Sequence, residues 1–86
     1  MAAGRKRTYR SAPRRSRALL VVTAKLAEKI RVLRTQQNLT QQVASDRADL
    51  ETKHWQLLEA GGTNPTLATL IAIAKALDVE LYELLK

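Results

Sequence analysis

From Leu26 onward, apolar residues recur at intervals of three and four. Leu26, Ile30 and Leu33, with Ala27 and Arg34 beside them, fall on one side of a helix, and Thr23 stands where an N-cap would, so the spacing predicts a first helix from about Ala24 to Gln37. Ahead of it, Leu19 to Val22 are four consecutive branched apolar residues that suit either a backward extension of this helix or a short strand. An exposed strand there would tend to pair with a second copy of itself. Asn38 interrupts the pattern, and Thr40 caps a short second helix from Gln41 to about Arg47 with Ala44 and Ala48 inward. Glu51 to Glu59 forms a third helix with Trp55 and Leu58 on its inner side, and the Gly61-Gly62 pair ends it. Asn64-Pro65-Thr66 is a turn that makes Thr66 the N-cap of a fourth helix, along which Leu67, Leu70, Ile71, Ala74 and Leu77 line one face. Asp78-Val79 breaks that helix, and Leu81, Leu84 and Leu85 mark a short fifth. Five helices with brief connections predict a compact all-α domain.

Composition narrows what such a domain does. With 86 residues the chain has enough length for one core and not two. It contains no cysteine and a single histidine, His54, so disulfides and thiolate metal sites are excluded and no metal is expected. With 3% aromatic residues and no Phe, the core must be built from Leu, Ile, Val and Ala. Charge is distributed unevenly. Arg5, Lys6, Arg7, Arg10, Arg14, Arg15 and Arg17 stand in residues 1 to 23 without one Asp or Glu, and account for the whole formal charge of +7. Residues 24 to 86 are formally neutral. The expected organisation is a basic, flexible arm over residues 1–23 and a helical domain over 24–86, the arm being attracted to a polyanion: nucleic acid first, an anionic membrane surface second. The seven-residue apolar run Ala18 to Ala24 follows a long arginine-rich segment and meets Lys25 at once, so it is too short to span a bilayer and poorly placed for a signal peptide. An acid-free start rich in Arg and Ser is also the composition of an organellar transit peptide.

The second and third helices are joined by only Ala48-Asp49-Leu50, and two short helices so joined cross at a large angle, one bracing the other. With Leu39-Thr40-Gln41 at the start, the small pair Ala44-Ser45, Leu50 after the turn, Trp55 and Leu58 inside, Glu59-x-Gly61, Asn64-Pro65-Thr66-Leu67 and Leu77-x-Val79, the chain resembles the lambda-repressor and Cro-like helix-turn-helix regulators. The resemblance runs from Leu26 to Leu85 without a gap. Asp49 stands where the family usually has a glycine in a left-handed turn, a conformation that Asp tolerates better than most side chains. Ala44 and Ala48 stand for larger aliphatic residues, Trp55 for Ile or Val, and Ser45 for alanine, which implies volume moved from one wall of the core to another. A rival register with Val43-Ala44 as the buried pair needs an inserted turn residue.

A helical wheel through Trp55 and Leu58 turns Lys53 and Leu57 outward, Gln56 and His54 to the flanks, and leaves Thr52 in the exposed first turn. A helix lying in the major groove reads with its N-terminal residues, so Thr52, Lys53, Gln56 and Leu57 are the candidate base readers. Lys53 suits guanine O6 and N7, Gln56 suits adenine, and Leu57 a thymine methyl. The bland alternative for Leu57 is a protein contact. Gln41 matches the phosphate-contacting glutamine of the family, and His54, Thr63, Asn64 and the arm residues Arg5, Lys6, Arg7, Arg10, Arg14, Arg15 and Arg17 are the further phosphate candidates. Arg34 and Glu59 match a buried ion pair of the family's repressors. Nothing resembles a phosphate-binding glycine loop or a nucleophile with its base, so neither an enzyme nor a cofactor or small-molecule effector is expected. The resemblance implies a sequence-specific regulator of transcription on double-stranded DNA, a small dimeric repressor or a restriction-modification controller on a palindromic operator, cytoplasmic and nucleoid-associated in a prokaryote or phage. The alternative is an RNA- or ribosome-associated structural protein that uses its basic head.

Overall fold

The computed structural model describes residues 16–86 of the chain. Five helices follow one another, with no strand among the described residues: α1 (Arg17–Gln36), α2 (Gln41–Arg47), α3 (Thr52–Glu59), α4 (Leu67–Ala76) and α5 (Leu81–Leu85). α1 starts seven residues earlier than the hydrophobic spacing implies. Its N-cap is Ser16, whose hydroxyl accepts from the Leu19 amide at 3.0 Å, and not Thr23. Thr23 lies buried inside the helix and donates its hydroxyl to the Leu20 carbonyl at 3.1 Å. A threonine that satisfies itself on the preceding turn and one that caps a helix look alike in sequence, which is why the spacing alone puts the start too late. Leu19 to Val22 are therefore helical, and residues 17–23, which charge alone assigns to the arm, belong to α1.

Four of the five helices end in the same way. Asn38, Asp49, Gly61 and Asp78 have positive φ of 59°, 58°, 76° and 58°. In each case the next residue donates its amide back to a carbonyl of the helix: Leu39 to Arg34 at 3.2 Å, Leu50 to Ser45 at 2.9 Å, Gly62 to Leu57 at 3.1 Å and Val79 to Ala74 at 3.0 Å. This left-handed termination satisfies the last free carbonyls of the helix. At three of the four ends the donor, Leu39, Leu50 or Val79, also packs against the core, so the turn and the hydrophobic anchor come from adjacent residues.

The core gathers Leu26 and Ile30 of α1, Ala44 of α2, Trp55 and Leu58 of α3, Ile73 and Ala74 of α4, Leu77 at its C-cap and Leu84 of α5. Trp55 is fully buried in the same cluster as the small Ala44 and Ala48, so the large and small positions compensate within one core. The face of α4 differs from the one the spacing suggests. Ile73, Ala74, Ala76 and Leu77 are buried and Leu70 is partly so, while Leu67 and Ile71 are 62% and 42% exposed. Leu70, Ile73, Ala74 and Leu77 keep a helical stripe as well as the anticipated set does, and a helix apolar on nearly every side does not fix its own rotation. In α5, Leu84 is buried and Leu81 partly buried, whereas Leu85 is exposed.

Candidate nucleic-acid interface

α2, the turn at Asp49 and α3 form the helix-turn-helix. Thr40 caps α2 by accepting from the Val43 amide at 3.1 Å. Where α2 meets α3, Ser45 is fully buried. Its hydroxyl donates to the Gln42 carbonyl at 2.9 Å and lies 3.1 Å from the Thr52 hydroxyl. A serine hydroxyl has one proton. With that proton on Gln42, it is Thr52 that donates to Ser45, an arrangement that gives the buried Ser45 oxygen both a donor and an acceptor. The half-buried Thr52 thus spends its own proton inside the protein and has none left for a base or a phosphate.

Along the outside of α3, Lys53, Gln56 and Leu57 are exposed, three residues at spacings of three and one that form a single patch. Leu57 is 47% exposed, although it neighbours the buried Leu58. Trp55, Leu58 and Glu59 point inward, and His54 is half-buried at the side. After α3 the Gly61-Gly62 turn leads to Thr63, whose buried hydroxyl oxygen has no hydrogen-bond partner, and to the exposed Asn64. Arg17 is exposed in the first turn of α1. Arg5, Lys6, Arg7, Arg10, Arg14 and Arg15 lie outside the described residues.

Behind the patch, Glu59 ties three helices together. Its carboxylate accepts from Arg34 of α1 (Nε to Oε2, 2.5 Å; Nη2 to Oε1, 3.0 Å). It accepts also from Trp55 Nε1 on its own helix at 2.6 Å and from Gln41 Nε2 at the start of α2 at 3.1 Å. Arg34 donates its remaining Nη1 to the Leu39 carbonyl at 2.8 Å, fastening the segment that precedes α2. Burial by itself would raise the Glu59 pKa. The hydrogen bonds from Arg34, Trp55 and Gln41, with the Arg34 charge, outweigh it and hold the carboxyl below its ordinary value. Sequence reasoning identifies Arg34 and Glu59 but not that Trp55 and Gln41 share the same carboxylate. The i, i+4 spacing of Trp55 and Glu59 is the available signal, whereas nothing in the sequence points to the bond from Gln37 Nε2 to the Leu77 carbonyl at 2.7 Å that fastens the end of α1 to the end of α4.

An amine, an amide and an apolar side chain on one rigidly braced helix can donate, accept and make apolar contact, the three modes needed to distinguish base edges. Among the described residues there is no group of His, Asp and Glu able to hold a metal, and no helix long and apolar enough to cross a membrane.

The helix-turn-helix family model matches residues 30–84. Among solved structures, the restriction-modification controller protein C.AhdI from Aeromonas hydrophila is 31% identical, with a TM-score of 0.71 over 72% of this chain and 94% of that one. A hypothetical transcription factor, NHTF, from Neisseria is 26% identical, with a TM-score of 0.73 over 76% of this chain and 75% of that one. None of the curated proteins compared matches the chain.

Proposed function

The chain belongs to the lambda-repressor and Cro-like helix-turn-helix family and is a DNA-binding regulator, and on that premise we propose that it controls transcription as a homodimer bound to a palindromic operator. The observation that carries this reading is the exposed patch Lys53, Gln56 and Leu57 on a helix whose angle is fixed from behind by the Glu59 network. Entering the major groove, α3 presents these three side chains to base edges. Gln41, His54, Thr63 and Asn64 are the phosphate contacts of this reading, supported by the family resemblance at Gln41 and by the exposure of Asn64. Thr52, its proton held by Ser45, contributes an acceptor or its methyl group and not a donor.

One domain of this size reads few base pairs, so a useful specificity ratio calls for two copies on half-sites about one helical turn, ~34 Å, apart. The arm residues Arg5, Lys6, Arg7, Arg10, Arg14, Arg15 and Arg17 add non-specific attraction to phosphate. The likeness to a restriction-modification controller supports that subtype, a regulator acting by occupancy with no chemical step, on the nucleoid of a prokaryote or on phage DNA. The test is selection from random duplex DNA, scored for an enriched inverted repeat. Enrichment of a single asymmetric site would remove the dimer, and binding that duplex RNA or ribosomal RNA competes away at equal mass would favour the RNA-associated alternative.

A further inference from the structure

A threonine in the first turn of a helix that lies in the major groove carries little information by itself, because a free hydroxyl rotates and either donates to a base or accepts from one. Thr52 is not free. Its hydroxyl lies 3.1 Å from that of Ser45 on α2, and Ser45 is fully buried. Ser45 is itself held at two points. Its carbonyl accepts from the Leu50 amide at 2.9 Å in the left-handed turn that ends α2, and its hydroxyl donates to the Gln42 carbonyl at 2.9 Å. With that one proton committed, the hydrogen between the two hydroxyl oxygens is the one that Thr52 supplies. The reverse direction would give up the Gln42 bond and leave a dry serine oxygen accepting nothing, whereas the direction described satisfies it on both sides.

We propose that Ser45 sets the sense in which Thr52 reads DNA: held as an acceptor, the Thr52 hydroxyl recognises an exocyclic amino group, N6 of adenine or N4 of cytosine, and discriminates against guanine and thymine. In the major groove these two amino groups are the hydrogen-bond donors of the base edges, while guanine O6 and N7 and thymine O4 are acceptors. An oxygen with no proton to give forms a hydrogen bond with an amino group. Against a carbonyl it sets lone pair on lone pair, which repels. The next residue, Lys53, is a donor only, so consecutive residues at the start of α3 present an acceptor and a donor. Ser45 touches no base in this arrangement. It is a positioning residue that acts through Thr52, and being wholly buried it forms no part of the reading surface. The inference rests on the reading of α3 as the helix that enters the major groove, and adds to it the chemical class of one base that is selected.

Operator duplexes altered at single base groups test it in the full-length chain, with affinity from fluorescence-anisotropy titrations and folding checked by circular dichroism. Thr52→Val keeps the side-chain shape and removes the hydroxyl, so the operator position that Thr52 reads is the one whose base preference disappears. The parent should prefer adenine or cytosine there. Deleting the amino group, with purine in place of adenine or 2-pyrimidinone in place of cytosine, should weaken parent binding about three- to tenfold, the value of one neutral hydrogen bond. Whichever analogue does so identifies the base. Where it is adenine, 7-deazaadenine keeps N6, loses the N7 acceptor and should bind as adenine does. Ser45→Ala frees the Thr52 proton, so guanine or thymine at this position should be bound nearly as well as the preferred base, whereas Thr52→Ser should keep the parent's preference. The analogue duplexes act on the parent chain, so they decide the matter even if a variant does not fold. A parent that prefers guanine or thymine there, that loses nothing with the amino group or that loses affinity with 7-deazaadenine overturns the proposal. So does a Ser45→Ala chain with the whole of the parent's preference, or a Thr52→Val chain with every preference unchanged. Each of these leaves DNA recognition standing, whereas a parent that selects no duplex at all overturns the functional reading and the proposal together.

Discussion

At Glu59 one carboxylate serves donors from α1, α2 and α3, so single substitutions around it strand charge in a dry place. Arg34→Met or Glu59→Leu alone should each cost about 3 to 5 kcal/mol of folding stability, and the double replacement much less than their sum. Additive losses in denaturant melts would show that the two do not act as a pair. The pKa shift adds a pH signature. A carboxyl lowered in the folded state contributes stability that is complete above its unfolded value, about 4.3, and is lost as pH falls through the folded value. The melting temperature of the parent should therefore fall towards that of Glu59→Gln as pH goes from about 6 to 3. A gap between them that stays constant over this range would contradict the ionised network. Ser45 and Thr52 make a smaller, sharper case. Ser45→Ala frees the Thr52 proton, so it should change base preference at one position of the operator while leaving the others unchanged.

For the elements, rotation and termination are what the substitutions measure. If α3 is turned as described, Lys53→Ala and Gln56→Ala leave stability within about 0.5 kcal/mol and cost about 1 to 3 kcal/mol of discrimination at particular base pairs. Trp55→Ala, by contrast, costs about 3 to 5 kcal/mol of stability. A loss of stability for Leu57→Ala as large as that for Trp55→Ala would place Leu57 in the core and the helix in the wrong rotation. Termination gives an opposite sign. Asp49 holds φ at 58°, a conformation that costs a non-glycine residue about 1 to 2 kcal/mol, so Asp49→Gly should stabilise the domain by part of that amount. Asp49→Val should destabilise it. Both are read from thermal melts, and a destabilising glycine would mean that the Asp49 side chain contributes more than its backbone strain costs.

At the scale of the whole molecule, the proposed reading gives selectivity to the nearly neutral helical body and attraction to the basic head. Removing residues 1–15 keeps the Ser16 cap of α1 and takes away six positive charges: Arg5, Lys6, Arg7, Arg10, Arg14 and Arg15. Binding should weaken on every duplex alike, and the slope of log affinity against log salt should fall by about 0.9 for each phosphate that the arm no longer neutralises. Titrations at several salt concentrations check this, and an unchanged slope would leave the arm without a role in binding. The deletion must stop before Ser16, since removing the cap would cost about 1 kcal/mol through α1 and confuse stability with affinity.

The helix-turn-helix can be recognised in the sequence because its determinants are local. Thr40 and Thr66 cap, Asp49 and Gly61 turn left-handed, Leu50 anchors the turn, and Trp55 and Leu58 fall on one helical face, all within a few residues of what they specify. What tertiary packing alone decided is non-local or degenerate. Thr23 reads equally well as a cap or as a buried helical residue, and only the Ser16 cap upstream settles which it is. The apolar surround of α4 allows several rotations until α2 and α5 cover one of them, leaving Leu67 and Ile71 outside and Ile73 within. The sharing of Glu59 among Arg34, Gln41 and Trp55 joins residues up to 25 positions apart. The direction of the Thr52 proton depends on a serine one helix away. A pattern along the chain determines which face of a helix can be buried; which face is buried, and which donor a buried carboxylate accepts from, depends on neighbours that only the folded chain brings together.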